Sequence, residues 1–188
     1  MSSRFTTSKT RVALATAIML ASGLSYATNA VPNSDMEKDK LGSMPEGWIG
    51  FANGDNNAAE FKVTNTKAHS GKQSFQAIIT AADGVEMWKI GAGPSGIPVK
   101  PNQKYRLSAW VKGEKGSKLE ITVNLRRSPW TIYGTSKEQT LSGKWQEVTF
   151  DTTVGETEDV RISVHMNYPQ NNGKSLYLDD IQLTALTK

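Results

Sequence analysis

Residues 104–113 read KYRLSAWVKG and form the cleanest strand in the chain. Tyr105, Leu107, Ala109 and Val111 fall on one face; Arg106, Ser108, Trp110 and Lys112 fall on the other. Strict alternation with aromatic and β-branched residues is the pattern of a half-buried strand. Pro101-Asn102 turns the chain in and Gly113 lets it out. Stretches of similar character lie on both sides, which predicts an interior strand of a sheet.

Working outward, short strands are predicted at 48–51, 60–65, 73–80, 85–90, 118–127, 144–152, 159–168 and 175–183, with a polar strand before Ser142-Gly143. The segment 91–102, GAGPSGIPVKPN, is rich in Gly and Pro and reads as a connection that cannot be helical. The segment 128–134, SPWTIYG, reads as an aromatic loop or short strand. No window longer than about ten residues has helical periodicity, apart from the apolar run near the start. Nine or ten short strands at regular spacing predict an all-β fold, an antiparallel β-sandwich or jelly roll.

The first 27 residues belong to a different class. Arg4, Lys9 and Arg11 precede an apolar run at 12–24, and Ser25-Tyr26-Ala27 presents small residues for cleavage. The run is too short to span a bilayer and no stop-transfer pattern follows, so 1–27 reads as a secretory signal and 28–188 as a single exported domain. The net charge is +4, and three basic residues but no acidic ones lie in 1–27, so the remainder carries +1. The basic balance therefore belongs largely to the signal and does not point to nucleic acid. A secreted protein, extracellular or periplasmic, is expected, monomeric and without membrane attachment after cleavage. It has no cysteine, which excludes disulfides and thiol chemistry, and its two histidines, His69 and His165, are too few for a His-rich zinc site.

Five stretches in order carry a family resemblance. NSDMEKD with PEGW, HSGKQSFQA, NQKYRLSAWVKG, GKWQEVTFDTTV and SLYLDDIQL resemble the successive motifs of secreted carbohydrate-binding modules of the family 4/9/22 type. The resemblance spans almost all of 28–188 and implies a galactose-binding-domain-like β-sandwich that binds polysaccharide without catalysis. Two positions depart from it: Met36 stands where Phe is usual, and Ser34 where Gly is usual. The resemblance also implies a structural calcium, held by Glu37, by the backbone from Ser70 to Lys72, and by Asp179. Oxygen ligands of that kind suit Ca²⁺.

Carbohydrate recognition needs flat rings for the apolar face of a sugar and planar polar side chains for its hydroxyls. Trp110 and Trp145 match core positions of the family and are expected inside, as is Trp48. Trp88, Trp130 and Tyr133 lie outside that pattern and are the candidate stacking rings. Alternation places Asn124 and Arg126 outward on 118–127, and His165 and Asn167 outward on 159–168; these four are the candidate polar partners. Arg126 and Arg127 suit a uronate or sulfate by bidentate pairing, which extends the expected ligands to acidic polysaccharides. Two further readings share the scaffold. A small polysaccharide lyase or glycosidase would use a His–Tyr–Arg set or paired carboxylates. A structural or adhesion domain would use neither. No paired carboxylates stand out on one strand face, and GxSxG and HExxH are both absent, so catalytic residues are not assigned.

Overall fold

The structure, a computed structural model, describes residues 28–187; the expected secretory signal lies outside them. Eleven strands follow in chain order: β1 (Trp48–Ala52), β2 (Ala58–Thr64), β3 (Ser74–Ala81), β4 (Ile90–Pro98), β5 (Lys104–Gly113), β6 (Lys118–Leu125), β7 (Ile132–Thr135), β8 (Gln139–Thr140), β9 (Gln146–Thr153), β10 (Asp159–His165) and β11 (Lys174–Ala185). Two single 3₁₀ turns, Met87–Lys89 and Pro169–Asn171, interrupt the connections. All strand pairs are antiparallel. One sheet has the order β1-β4-β10-β6-β7, with β8 also on β6; the other has the order β2-β3-β11-β5-β9. The expected sandwich is what the chain forms, with β5 in the interior of the second sheet.

Alternation builds the core. Leu107, Ala109 and Val111 of β5 meet Ile121 and Val123 of β6 and Val160, Ile162 and Val164 of β10, all buried. Phe75 stacks with Trp48 at 4.9 Å and with Phe61 at 6.0 Å, and this trio belongs to the packed interior. Met36 is fully buried, so the departure from Phe at this position still fills the core. Trp110 and Trp145 correct the expectation of core packing. Trp110 is half-buried on the outer face of the five-stranded sheet, and the His69 ring lies flat on it at 3.7 Å. Trp145 meets His69 edge-on at 5.7 Å. Trp110 sits on the polar face of its own alternating strand, with Arg106 and Ser108, so parity takes it outward.

Two segments also depart from expectation, and both border the site. The stretch 85–90 is not a strand: Val85 is exposed and residues 87–89 make one 3₁₀ turn. The Gly/Pro-rich 91–98 is a strand, lying between β1 and β10. Pairing of β10 with β4 runs His165↔Gly91 and Val164↔Ala92, then resumes at Arg161↔Ser95. Pro94, which has no N–H to donate, falls in that gap. Gly91 lets the Phe51 ring lie over the strand, and Gly93 lets β4 approach the Ile162 carbonyl where a Cβ would collide with it.

Candidate glycan-binding groove

The outer face of the six-stranded sheet holds a groove of about 590 Å³. Its lining is Phe51 from β1, Trp88 from the 3₁₀ turn before β4, Thr122 and Asn124 from β6, Trp130 and Ile132 from the β6–β7 loop and β7, and Arg161 and His165 from β10, with Asn53. Rings and an aliphatic side chain form the walls: Trp88, Trp130 and Ile132 are 49%, 50% and 58% exposed. Polar side chains form the floor, where Thr122, Asn124, Ser163 and His165 are all buried. The floor residues share one face because β6 and β10 pair in register, with Asn124 opposite Arg161 and Thr122 opposite Ser163.

Each floor group has a distinct environment. Asn124 Oδ1 accepts from the Thr122 hydroxyl at 3.3 Å and the Ser163 hydroxyl at 3.4 Å, and its Nδ2 donates to the Leu125 carbonyl at 3.1 Å. The Arg161 guanidinium lies 4.9 Å from the Trp130 ring centroid and 5.9 Å from that of Phe51. Burial lowers its pKa. Burial, and then the charge of Arg161, push His165 down to about 4, so its imidazole is neutral near pH 7. Neutral imidazole has one donor and one acceptor nitrogen, a suitable partner for a hydroxyl.

Of the residues expected from sequence, Trp88, Asn124, Trp130 and His165 come together in this groove. Arg126, Tyr133 and Asn167 do not line it. Arg126 lies just past the end of β6, where alternation no longer governs direction. Its Nε donates to Asp159 at 2.9 Å, while Arg127 reaches the other oxygen of the same carboxylate at 3.2 Å. The pair ties the base of the 126–131 loop to the start of β10. Tyr133 is displaced by a bulge: Asn124 pairs with Ile132 but Val123 with Gly134, so Ile132 takes the groove side and Tyr133 packs toward the core and Gly155. Asn167 lies beyond the end of β10 and is fully buried. Its Nδ2 donates to Asp83 at 2.7 Å and to the Glu86 carbonyl at 2.9 Å, holding the loop that presents Trp88. The Asp83 carboxyl is held below its usual range, first by Asn167 and then by the Val85 N–H.

Sequence reasoning left Phe51, Asn53, Thr122, Ile132 and Arg161 out of the site. Arg161 was visible as an outward residue of its strand. What singles it out is the lack of a carboxylate partner among the described residues, and that depends on residues far away in sequence.

The three segments proposed for calcium also meet. Asp179 Oδ2 accepts from the His69 N–H at 2.8 Å and the Ser70 N–H at 3.2 Å, and its Oδ1 from the Asp180 N–H at 2.8 Å. Glu37 Oε1 accepts from the Lys72 and Gln73 N–H groups, each at 2.8 Å. Asp179 is fully buried, and burial pushes its carboxyl up to about 6. A divalent cation beside it would offset that penalty, and the Glu37 and Asp179 oxygens are hard donors, so the set fits calcium in kind. Lys72 contributes an N–H to Glu37 here, so any ligand from that residue has to be its carbonyl. Among the described residues no group of three or more His, Cys, Asp or Glu side chains converges, so backbone carbonyls would have to complete the shell.

A two-sheet sandwich with a ring-walled, polar-floored groove across one sheet has the architecture of a sugar-binding module. The chain belongs to the CBM_4_9 family, described as a carbohydrate binding domain, whose model matches residues 28–172. It is a non-catalytic carbohydrate-binding domain. No curated protein matches it. Among solved structures it is similar to a CBM4 module, with 20% identity, 83% of this chain and 99% of that one covered, and a TM-score of 0.61. It is also similar to TmCBM61 in complex with β-1,4-galactotriose, with 18% identity, 85% and 100% covered, and a TM-score of 0.61. A third is the CBM22-1 xylan-binding domain of Paenibacillus barcinonensis Xyn10C, with 20% identity, 82% and 93% covered, and a TM-score of 0.57. At these identities the likeness is one of fold.

Proposed function

We propose that the groove on the six-stranded sheet is where this domain holds a polysaccharide, with Trp88 and Trp130 stacking on sugar rings above hydrogen bonds from the floor. The observation that carries this reading is two half-exposed tryptophans lining one groove with buried polar side chains. A large ring left half in water costs the fold apolar exposure that a sugar face would cover. The floor supplies what hydroxyls need: the Asn124 amide, the neutral His165 and the Arg161 guanidinium. An acidic chain is part of the proposal, because no carboxylate side chain lines the groove.

Affinity electrophoresis on a panel of polysaccharides tests the reading. Trp130→Ala should weaken retention about tenfold, since one stacked ring is worth roughly 1–3 kcal/mol on a planar ligand, while the melting temperature stays the same. Unchanged retention would mean that the groove is not the binding surface.

Two further parts of the proposal concern the chain's setting. It is secreted, which the composition of 1–27 supports; N-terminal sequencing of the exported protein should start near residue 28. It carries one structural calcium at Glu37 and Asp179, supported by the convergence of the 34–37, 69–73 and 179–181 segments.

A further inference from the structure

Arg161 is the cation in the groove floor, and no carboxylate answers it. Four arginines lie among the described residues. Arg106 pairs with Asp151, and Arg126 and Arg127 pair with Asp159. Arg161 has no acidic partner among the described residues, and its Nε is buried without any hydrogen-bond acceptor. A guanidinium taken partly out of water without a counterion is costly, and the fold accepts that cost at the centre of its groove. Its neighbours do not discharge it. Asn124 and Ser95 sit opposite it on the adjoining strands, and both are neutral.

The rings prepare this group for an anion. The Trp130 and Phe51 ring centroids lie 4.9 and 5.9 Å from the guanidinium carbon, so the faces of two rings flank the cation. An ion pair formed in such a site is screened less than one on an open surface. The two Nη groups make an end-on fork, and a planar carboxylate matches that fork with two parallel hydrogen bonds.

We propose that Arg161 reads a carboxylate on the bound glycan, so that the groove selects a uronate-bearing polysaccharide. This rests on the groove being the glycan site. It moves the acidic recognition from the Arg126–Arg127 pair, whose side chains Asp159 already engages, to a residue that no carboxylate engages among the described residues.

The test uses pectate, alginate and glucuronoxylan, each run beside its own carboxyl-reduced form, in affinity electrophoresis at low and high salt. At least one polyuronate should be retained about tenfold or more over its reduced form, the worth of a charge-assisted pair. Arg161→Met should abolish that preference, so that the acid and reduced forms are retained alike; Arg161→Lys should keep part of it. High salt should erode the preference in the unaltered protein, a readout that needs no variant. Equal retention of acid and reduced forms overturns the proposal, as does a preference that survives Arg161→Met, or a preference for sulfated chains that ignores carboxyl reduction. Trp130→Ala separates the two levels. If it abolishes binding while no uronate preference exists, the groove stands and the role of Arg161 falls. If it changes nothing, the groove reading itself falls.

Discussion

His165 shows how a strand position becomes a site residue through its surroundings. Alternation alone puts it on the outer face of β10, where a histidine would ordinarily be solvated. The Trp88 loop and the neighbouring strands cover it to 9% exposure, and its pKa drops to about 4, from burial first and Arg161 second. In the unfolded chain it titrates near 6.5. Between those two values the unfolded chain binds more protons, so this residue's contribution to stability is complete above 6.5 and is lost as pH falls through the window toward 4. The loss is on the order of 3 kcal/mol at the acid end. Carboxylates titrate in the same range, so the measurement has to be a difference. The stability of the unaltered protein minus that of His165→Gln, followed from pH 7 to 4, should fall with acidity, and the imidazole resonances should titrate near 4. A midpoint near 6.5 would mean that water reaches the ring and the groove floor is wetter than its packing indicates.

At the scale of elements, the parts legible in sequence were those with strict alternation. KYRLSAWVKG, KLEITVNL and SFQAIITA are strands because period two dominates every other signal in them, and that fixes the sandwich. The parts that misled are where β4 begins and where strands end. Gly and Pro ordinarily mark connections, yet β4 needs both: Gly91 gives room to Phe51, Gly93 gives room to the Ile162 carbonyl, and Pro94 falls in the break in the ladder. None of these reasons is local. The partners are 40 to 70 residues away, so composition alone reads the stretch as a loop. Arg126, Asn167 and Tyr133 belong to the same lesson. The first two lie just past a strand end and the third at a bulge, so parity does not predict their direction. Gly93→Ala tests the account of β4. The new methyl group would enter the space of the Ile162 carbonyl oxygen, forcing β4 and β10 apart. Overpacking of this kind costs about 1–3 kcal/mol, read as a lowered denaturation midpoint. Glycan retention should fall with it, because Arg161 and His165 stand on the displaced strand. A fully stable Gly93→Ala protein would show that the two strands do not approach as closely as described.

At the scale of the whole molecule, the sandwich has to hold its two chain ends without disulfides. The site sheet draws on strands from the first, β1, to the next-to-last, β10, whereas the other sheet carries the last strand, β11, at its centre between β3 and β5. Among the described residues, the segment 28–47 has no strand in either sheet apart from one bridge, Asn29 to Thr184. It is secured to β11 and to the turn before β3 by hydrogen bonds: Asn29 Nδ2 donates to the Ile181 carbonyl at 3.2 Å, the Ile181 N–H donates to the Ser34 carbonyl at 3.2 Å, and Glu37 accepts from the Lys72 and Gln73 N–H groups. Hydrogen bonds and a calcium ion are different staples with separable signatures. Glu37→Gln keeps a carbonyl oxygen to accept from the Lys72 and Gln73 N–H groups but removes the charge that a cation needs. If calcium is held there, EDTA should lower the melting temperature of the unaltered protein by roughly 5–10 °C, the effect of an ion at about a hundred times its Kd on a domain this size. Glu37→Gln should then melt low both with and without EDTA. If the unaltered protein melts at the same temperature in EDTA and in millimolar calcium, the hydrogen bonds are the whole staple. The buried Asp179 carboxylate then serves to cap the 69–70 backbone.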